Sequence, residues 1–248
     1  MLKVALITGG SRGIGAATAI KLAEEGYSLC INYRSDGAAA MRVVEKIQNM
    51  GQKAVAIKAD NSQEHDVIRL FSLIDEQLGP INLLVNNAGI LHKQMSIENM
   101  TAERINQTFQ TNVTGYFLCC REAVKRMSKK HHGEGGVIVN VSSAAARLGG
   151  PHEYIDYAAS KGAVDTLTIG LAMEVAEHGI RVNGVRPGII KTEMHASGGE
   201  PDRVNRVKHV VPLKRGGEPA EVAEAIVWLA SDKSVYTTGS FIEVAGGR

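Results

Sequence analysis

Residues 8–15 read Thr8-Gly9-Gly10-Ser11-Arg12-Gly13-Ile14-Gly15, set between an apolar β-type run at 3–8 and helix formers at 14–25. A strand that ends in glycines and opens directly into a helix marks a βα unit whose turn brings backbone close to a ligand. Glycine permits the positive φ of a tight turn and removes the Cβ that would hold off a pyrophosphate. The N-terminus of the following helix adds unpaired N–H groups and the positive end of a dipole. The spacing at Gly9, Gly13 and Gly15 is G-x-x-x-G-x-G rather than G-x-G-x-x-G, and no Lys-Ser/Thr pair follows the last glycine, which excludes a P-loop. The expectation is a dinucleotide cradle built from Gly9, Ser11, Arg12, Gly13, Ile14 and Gly15; the plainer alternative is an ordinary tight connection.

The alternation continues along the chain. Strands are expected at 28–33, 54–58, 81–85, 137–141, 180–185 and 241–244. Helices are expected at 37–50, 62–78 with Ser62 as cap, 101–130, 154–178 and 220–230. Several strands are near-continuous apolar runs, as in a sheet covered on both faces. Strands alternating with helices predict an α/β Rossmann-type fold, a doubly wound parallel sheet of about seven strands. At 248 residues the chain suits one domain, 1–248. The segment 191–213 mixes glycines and polar residues with Met194, Val204, Val207, Val210 and Val211, and reads as a substrate loop.

Composition narrows the function classes. Lys+Arg 28 against Asp+Glu 26 leaves a net charge of +2, too weak a field to favour nucleic acid or a membrane surface. No apolar run approaches the roughly eighteen residues of a membrane span, and the run 1–8 is too short for a secretory leader. Cys30 sits in an apolar run. Cys119 and Cys120 are neighbours pointing about 100° apart on a helix, neither a redox pair nor a clamp. Buried thiols in a reducing cytoplasm are expected. The eight histidines are scattered and show no metal-ligand spacing, so no metal site is expected. Trp228 is expected to pack.

The second strand bears on cofactor choice. An NAD site places a carboxylate there for the ribose 2′-hydroxyl. This strand ends Asn32-Tyr33-Arg34-Ser35. Arg34, with Arg12 from the glycine turn, suits a 2′-phosphate through charge-assisted pairing. Asp36 is the residue that would serve a 2′-hydroxyl instead. NADP(H) is favoured, with NAD(H) the alternative.

Tyr157-Ala158-Ala159-Ser160-Lys161 puts a phenol and an amine on one helix face at i and i+4. A phenol near pKa ~10 is a poor base at neutral pH. An ammonium about 4 Å away contributes up to ~4 kcal/mol at an effective dielectric near ~20, or about three pKa units. That poises the phenol for proton transfer. Upstream, the strand at 137–141 ends in Ser142-Ser143, where a hydroxyl can donate to a developing alkoxide.

With these residues in place the sequence resembles the short-chain dehydrogenase/reductase family. The matching positions are 8–15, Asn86-Asn87-Ala88-Gly89, Asn112, Ser143, Tyr157 with Lys161, and Pro187-Gly188 with Thr192, in order across almost the whole chain. The resemblance implies that Tyr157 is the catalytic acid/base, that Lys161 lowers its pKa and holds the nicotinamide ribose, that Ser143 binds the substrate carbonyl oxygen, and that Asn112 positions a water in a relay with Lys161. It further implies that Asp60, followed by Asn61, contacts the adenine. Asn87, Ala88 and Gly89, with Pro187 and Gly188, would line the cofactor, and Ile190 with Thr192 would grip the carboxamide. The implied activity is hydride transfer between nicotinamide and a small-molecule carbonyl or alcohol, in a homotetramer or, alternatively, a homodimer.

Two features depart from the family. Ser143 lies fourteen residues before Tyr157, one more than is common, which leaves Ser142 open as the substrate-facing hydroxyl and reshapes a wall carrying His152, Glu153 and Tyr154. Ala245 stands where relatives often have Asp. Competing readings are a sugar or polyol dehydrogenase, a 3-oxoacyl-carrier-protein reductase, and a non-catalytic NADP-binding sensor or scaffold. The basic residues Lys125, Arg126, Lys129 and Lys130 suit helix-dipole compensation or a dock for an acidic carrier.

Overall fold

The first strand shows how the sheet is built. In β1 (Val4–Ile7), Val4 and Leu6 face one side and Ala5 and Ile7 the other, and all four are fully buried. A strand apolar on both faces is stable only between two layers of helix. The computed structural model describes residues 3–248; Met1 and Leu2, the start of the N-terminal run read above, lie outside the described residues. β1 is followed by β2 (Ser28–Tyr33), β3 (Ala54–Lys58), β4 (Leu83–Asn86), β5 (Gly136–Val141), β6 (Ile180–Pro187) and β7 (Phe241–Val244). They pair in parallel throughout, in the order β3-β2-β1-β4-β5-β6-β7.

The helices are α1 (Gly13–Glu24), α2 (Gly37–Asn49), α3 (Glu64–Gln77), α4 (Ala102–Phe109), α5 (Gly115–Met127), α6 (Ala145–Leu148), α7 (Ile155–Val175), α8 (Met194–Ser197), α9 (Arg203–Val207) and α10 (Pro219–Ala230). Ala5 and Ile7 pack with Leu22 of α1, Val44 of α2 and Ile226 of α10. Val4 and Leu6 pack with Phe71 of α3, Cys119 of α5 and Val175 of α7. From β1 the chain winds toward β3, and from β4 toward β7, so a crevice opens at the carboxyl ends of β1 and β4, where open α/β sheets bind ligands. Among the described residues no helix is long and apolar enough to cross a membrane.

Four expectations need correction. The helix expected at 101–130 is not continuous: α4 passes into a π turn at Gln110–Thr114 before α5 begins. Thr111, Val113 and Thr114 are β-branched and Gly115 is flexible, so this stretch has little intrinsic hold on α geometry. Ser62 does not cap a helix. Its hydroxyl donates to Asp60 Oδ1 (2.7 Å), and α3 starts after Gln63. The loop at 191–213 is partly helical, in α8 and α9. Trp228, expected to pack, lies on the outer side of α10 and is 40 % exposed.

Candidate active site

Gly9 and Gly13 take positive φ, +61° and +53°. A Cβ on Gly9 would stand 3.0 Å from Ala88 Cα, and one on Gly15 would meet Gly9 O at 2.5 Å. The turn therefore closes only without side chains. Thr8 Oγ1 accepts from the N–H groups of Asn87 (2.9 Å) and Ala88 (3.0 Å), and the Asn87 amide donates back to the carbonyls of Thr8 and Gly9 (both 3.0 Å). These bonds lock the turn after β1 to the loop after β4. Arg12, the N-cap of α1, makes no side-chain cap bond, so the helix start keeps free N–H groups.

A cavity of about 340 Å³ runs along this turn, lined by Gly9, Ser11, Arg34, Asp60, Asn61 and Gly89 among others. Arg12 and Ile14 also face it. Both arginines are exposed and without an ion-pair partner among the described residues. Asp36 is engaged elsewhere: its Oδ1 accepts from Ala39 N (2.9 Å) and caps α2. Asp60 Oδ1 accepts from Ser62 N (3.0 Å), while Asn61 Oδ1 is buried with no hydrogen-bond partner. A glycine-rich turn, an uncapped helix start, two unpaired cations and an orphaned acceptor fit an anionic dinucleotide. On the far side Pro187 ends β6, and Gly188 N donates to Val244 O (3.0 Å). Ile190 bridges to Gly217, and Thr192 reaches back to within 3.2 Å of a Cβ placed on Gly13.

A second cavity of about 510 Å³ adjoins the first, sharing Ile14, Asn87, Leu91, Thr192 and Met194. Ser143, Tyr157 and Lys161 line it. Tyr157 sits in the first turn of α7, which is fixed by its neighbour Asp156. The Asp156 carboxylate accepts from Arg104 Nε (2.8 Å) and Thr108 Oγ1 (3.2 Å) in a nearly dry pair. The two serines part ways. Both border the cavity, but Ser142 is 2 % exposed and its Oγ donates to Lys161 O (3.2 Å), whereas Ser143 is only partly buried, its Oγ accepts from Ala145 N (3.1 Å), and it stands near enough to Tyr157 to ease ionisation of the phenol. Asn112 is fully buried, held by the π turn. Its Oδ1 accepts from Ile90 N (2.8 Å), and its Nδ2 donates to Ile90 O and Ser160 Oγ (both 3.1 Å).

The electrostatics differ from the sequence expectation. Lys161 Nζ is 5.7 Å from the Tyr157 ring centre and donates instead to Val141 O (2.7 Å) and Tyr116 Oη (3.3 Å). Burial pushes Tyr157 up to about 12, against the easing effect of Ser143. Burial also pulls Lys161 down to about 7, with Asp165 opposing. The i, i+4 argument treated both heads as hydrated; here desolvation outweighs their mutual attraction.

Sequence reasoning missed three features. Tyr116 belongs to no motif. The π turn was signalled only by its run of weak helix formers. The third is a clamp at the wall of the second cavity. Arg203 of α9 donates to Glu153 (2.5 Å) and Glu200 (3.0 Å), Arg206 donates to both glutamates, and Arg203 lies 4.9 Å over the Tyr154 ring. Of the reshaped wall, Glu153 and Tyr154 line the cavity while His152 is exposed. Half of the basic helix end is neutralised: Lys125 pairs with Glu122, and Arg126 with Asp75 and Glu122. The three cysteines are buried free thiols.

Residues 9–248 match the model of a family described as enoyl-(acyl carrier protein) reductase. Among curated proteins the chain is 62 % identical over 247 residues to the uncharacterized oxidoreductase YgfF of Escherichia coli, covering 100 % of each. It is 37 % identical over 247 residues to the 3-oxoacyl-[acyl-carrier-protein] reductase FabG of Staphylococcus epidermidis, covering 100 % of this chain and 99 % of the relative. Among solved structures it resembles a short-chain dehydrogenase from Burkholderia cenocepacia in complex with NADP, with a TM-score of 0.90 and 33 % identity over 99 % of this chain and 97 % of that one.

Proposed function

This chain belongs to the short-chain dehydrogenase/reductase family of oxidoreductases, and we propose that it interconverts a small carbonyl compound and its alcohol with NADP(H). The observation that carries this reading is the convergence of Ser143, Tyr157 and Lys161 on an apolar cavity where it adjoins the polar cavity of the glycine turn. NADP(H) supplies the hydride, or accepts it, when bound along that turn. Tyr157 gives its proton to the carbonyl oxygen as that oxygen becomes an alkoxide, and takes it back in the reverse direction. Ser143 donates a second hydrogen bond to the same oxygen. Lys161 is the cation against which the phenolate forms, and Asn112 positions a water in the relay that re-protonates it.

Asp60 and Asn61 hold the adenine side, Asn87, Ala88 and Gly89 line the cofactor with Pro187 and Gly188, and Ile190 and Thr192 grip the carboxamide. Arg12 and Arg34 support NADP(H) over NAD(H) because both are unpaired while Asp36 is committed to its helix cap. The segment 191–213 covers the substrate. Reduction of a 3-oxoacyl carrier, the activity for which the staphylococcal relative is named, is the second reading. The pairing of Lys125 and Arg126 with acidic neighbours weighs against a carrier dock there. A homotetramer in the cytoplasm completes the proposal; the buried free thiols agree with a reducing compartment.

The test is a panel of ketones, aldehydes and alcohols with both reduced and oxidised cofactors, followed at the nicotinamide absorbance. Wild type turns over at least one carbonyl with NADPH. Tyr157→Phe lowers kcat/KM by about 10²–10⁴-fold and still binds NADPH. Equal turnover by the variant, or none by wild type across the panel, defeats the reading.

A further inference from the structure

The inner side of the catalytic pair is closed by Tyr116, which is 2 % exposed at the start of α5. Its hydroxyl donates to Val141 O (3.0 Å). A phenol has one proton, and with that proton committed the oxygen can only accept from Lys161 Nζ (3.3 Å). Nζ donates in turn to Val141 O (2.7 Å), which closes a triangle of hydrogen bonds. The amine lies between two rings, with centres 5.0 Å away for Tyr116 and 5.7 Å for Tyr157.

The surroundings of Nζ make this contact count. The titratable groups of α7 that act on Nζ are Tyr157 and Asp165, and Asp165 is paired with Arg186 (3.0 Å). β5 offers only the Val141 carbonyl. The π turn offers Asn112, engaged with Ile90 and Ser160. The loop after β4 offers Gly89, where an added Cβ would come within 3.8 Å of Nζ. Among the described residues no carboxylate forms an ion pair with Lys161, so Tyr116 Oη is the only side-chain oxygen bonded to the amine.

We propose that Tyr116 is a positioning residue of the reaction assigned above, its hydroxyl and ring holding the Lys161 amine in place, and in its charged form, behind Tyr157. The inference rests on the proposed oxidoreductase function. Burial drives the amine toward neutrality, and an acceptor bonded to the ammonium opposes that drive. Tyr116 and Lys161 are each 2 % exposed.

Tyr116→Phe removes one oxygen and keeps the ring. In the reducing direction with NADPH, kcat/KM falls on the alkaline side as Lys161 loses its proton. In the variant that fall moves to lower pH by about one unit, while KM for NADPH at neutral pH stays within about twofold. A purely structural residue lowers the melting temperature or kcat without moving the limb. An unmoved limb overturns the proposal, and so does a Tyr116→Phe chain that fails to fold. A second measurement does not need turnover: the full chain labelled with ε-¹³C-lysine, its Lys161 resonance assigned through Lys161→Met, is titrated by NMR. The Lys161 midpoint drops in Tyr116→Phe if the proposal holds, and equal midpoints overturn it. Wild type that reduces no carbonyl defeats the proposed function, and the NMR titration still decides the role of Tyr116.

Discussion

Arg12 and Arg34 are long, exposed side chains on separate segments, one in the glycine turn and one at the end of β2, and both border the cavity of that turn. An exposed arginine with no protein partner contributes little to stability, but it can bind a phosphate with charge-assisted, often bidentate hydrogen bonds. Each such bond is worth roughly 1.5–3 kcal/mol. The double variant Arg12→Ala/Arg34→Ala is therefore expected to lower the NADPH-to-NADH ratio of kcat/KM by roughly 10–100-fold, with melting temperature unchanged. Steady-state kinetics with each cofactor checks this, and an unchanged ratio removes the assignment. Tyr157 and Lys161 were legible one residue at a time because the i, i+4 spacing announces them, and the strand end announced a serine without choosing between Ser142 and Ser143. The protonation behaviour of the pair was not, since burial and the Tyr116 contact are contributed by β5 and α5.

Among the elements, the two that sequence periodicity misread both border the cavities. The π turn at Gln110–Thr114 inserts Asn112 between the loop after β4 and α7, an orientation that an unbroken helix over 101–130 would not provide. The segment 191–213, proposed above to cover the substrate, is tied to the wall before α7 by ion pairs from Arg203 and Arg206 to Glu153. Burial opposes ionisation of Glu153, but hydrogen bonds from Arg203 and Arg206 outweigh it and hold the carboxyl below the usual range. At Glu200 the Arg206 hydrogen bond is the main cause of a lowered value. Carboxylates held low contribute stability that is present above their unfolded pKa of about 4.3 and is lost as pH falls through the lower folded value. The covering segment is accordingly expected to loosen only below about pH 4. Glu153→Gln leaves Arg203 with Glu200 alone and weakens the clamp by about 1–3 kcal/mol. The expected result is a several-fold higher KM for the carbonyl, unchanged NADPH affinity, and faster proteolysis within 191–213. Equal proteolysis rates in variant and wild type would show that the clamp does not hold the segment.

For the whole molecule, the conspicuous feature is apolar surface left uncovered along α5 and α7. Phe117 is 51 % exposed, Ile169 44 % and Met173 73 %, beside a shallow cavity lined by Val124, Leu167 and Leu171. Exposed apolar residues along two neighbouring helices suit a contact surface, and the proposed homotetramer gives them a partner, a second copy of the chain. Light scattering is expected to return about four times the 26.5 kDa of one chain. Met173→Glu, which places a charge on the most exposed of the three, is expected to reduce that mass while leaving the fold's circular dichroism unchanged. A monomer in wild type refutes the assembly.

The order of strands and helices, the parallel sheet, the glycine cradle and the Tyr157–Lys161 pair were all contained in local pattern. Each depends on backbone propensity or on spacing within a few residues, and those rules act before the chain is packed. The choice of Ser143 over Ser142, the break around Asn112, the Arg203–Glu153 clamp and the company Lys161 keeps were decided by packing. They depend on groups tens of residues apart meeting in a dry interior, where the loss of water reverses the balance of charge that the same residues have in solution.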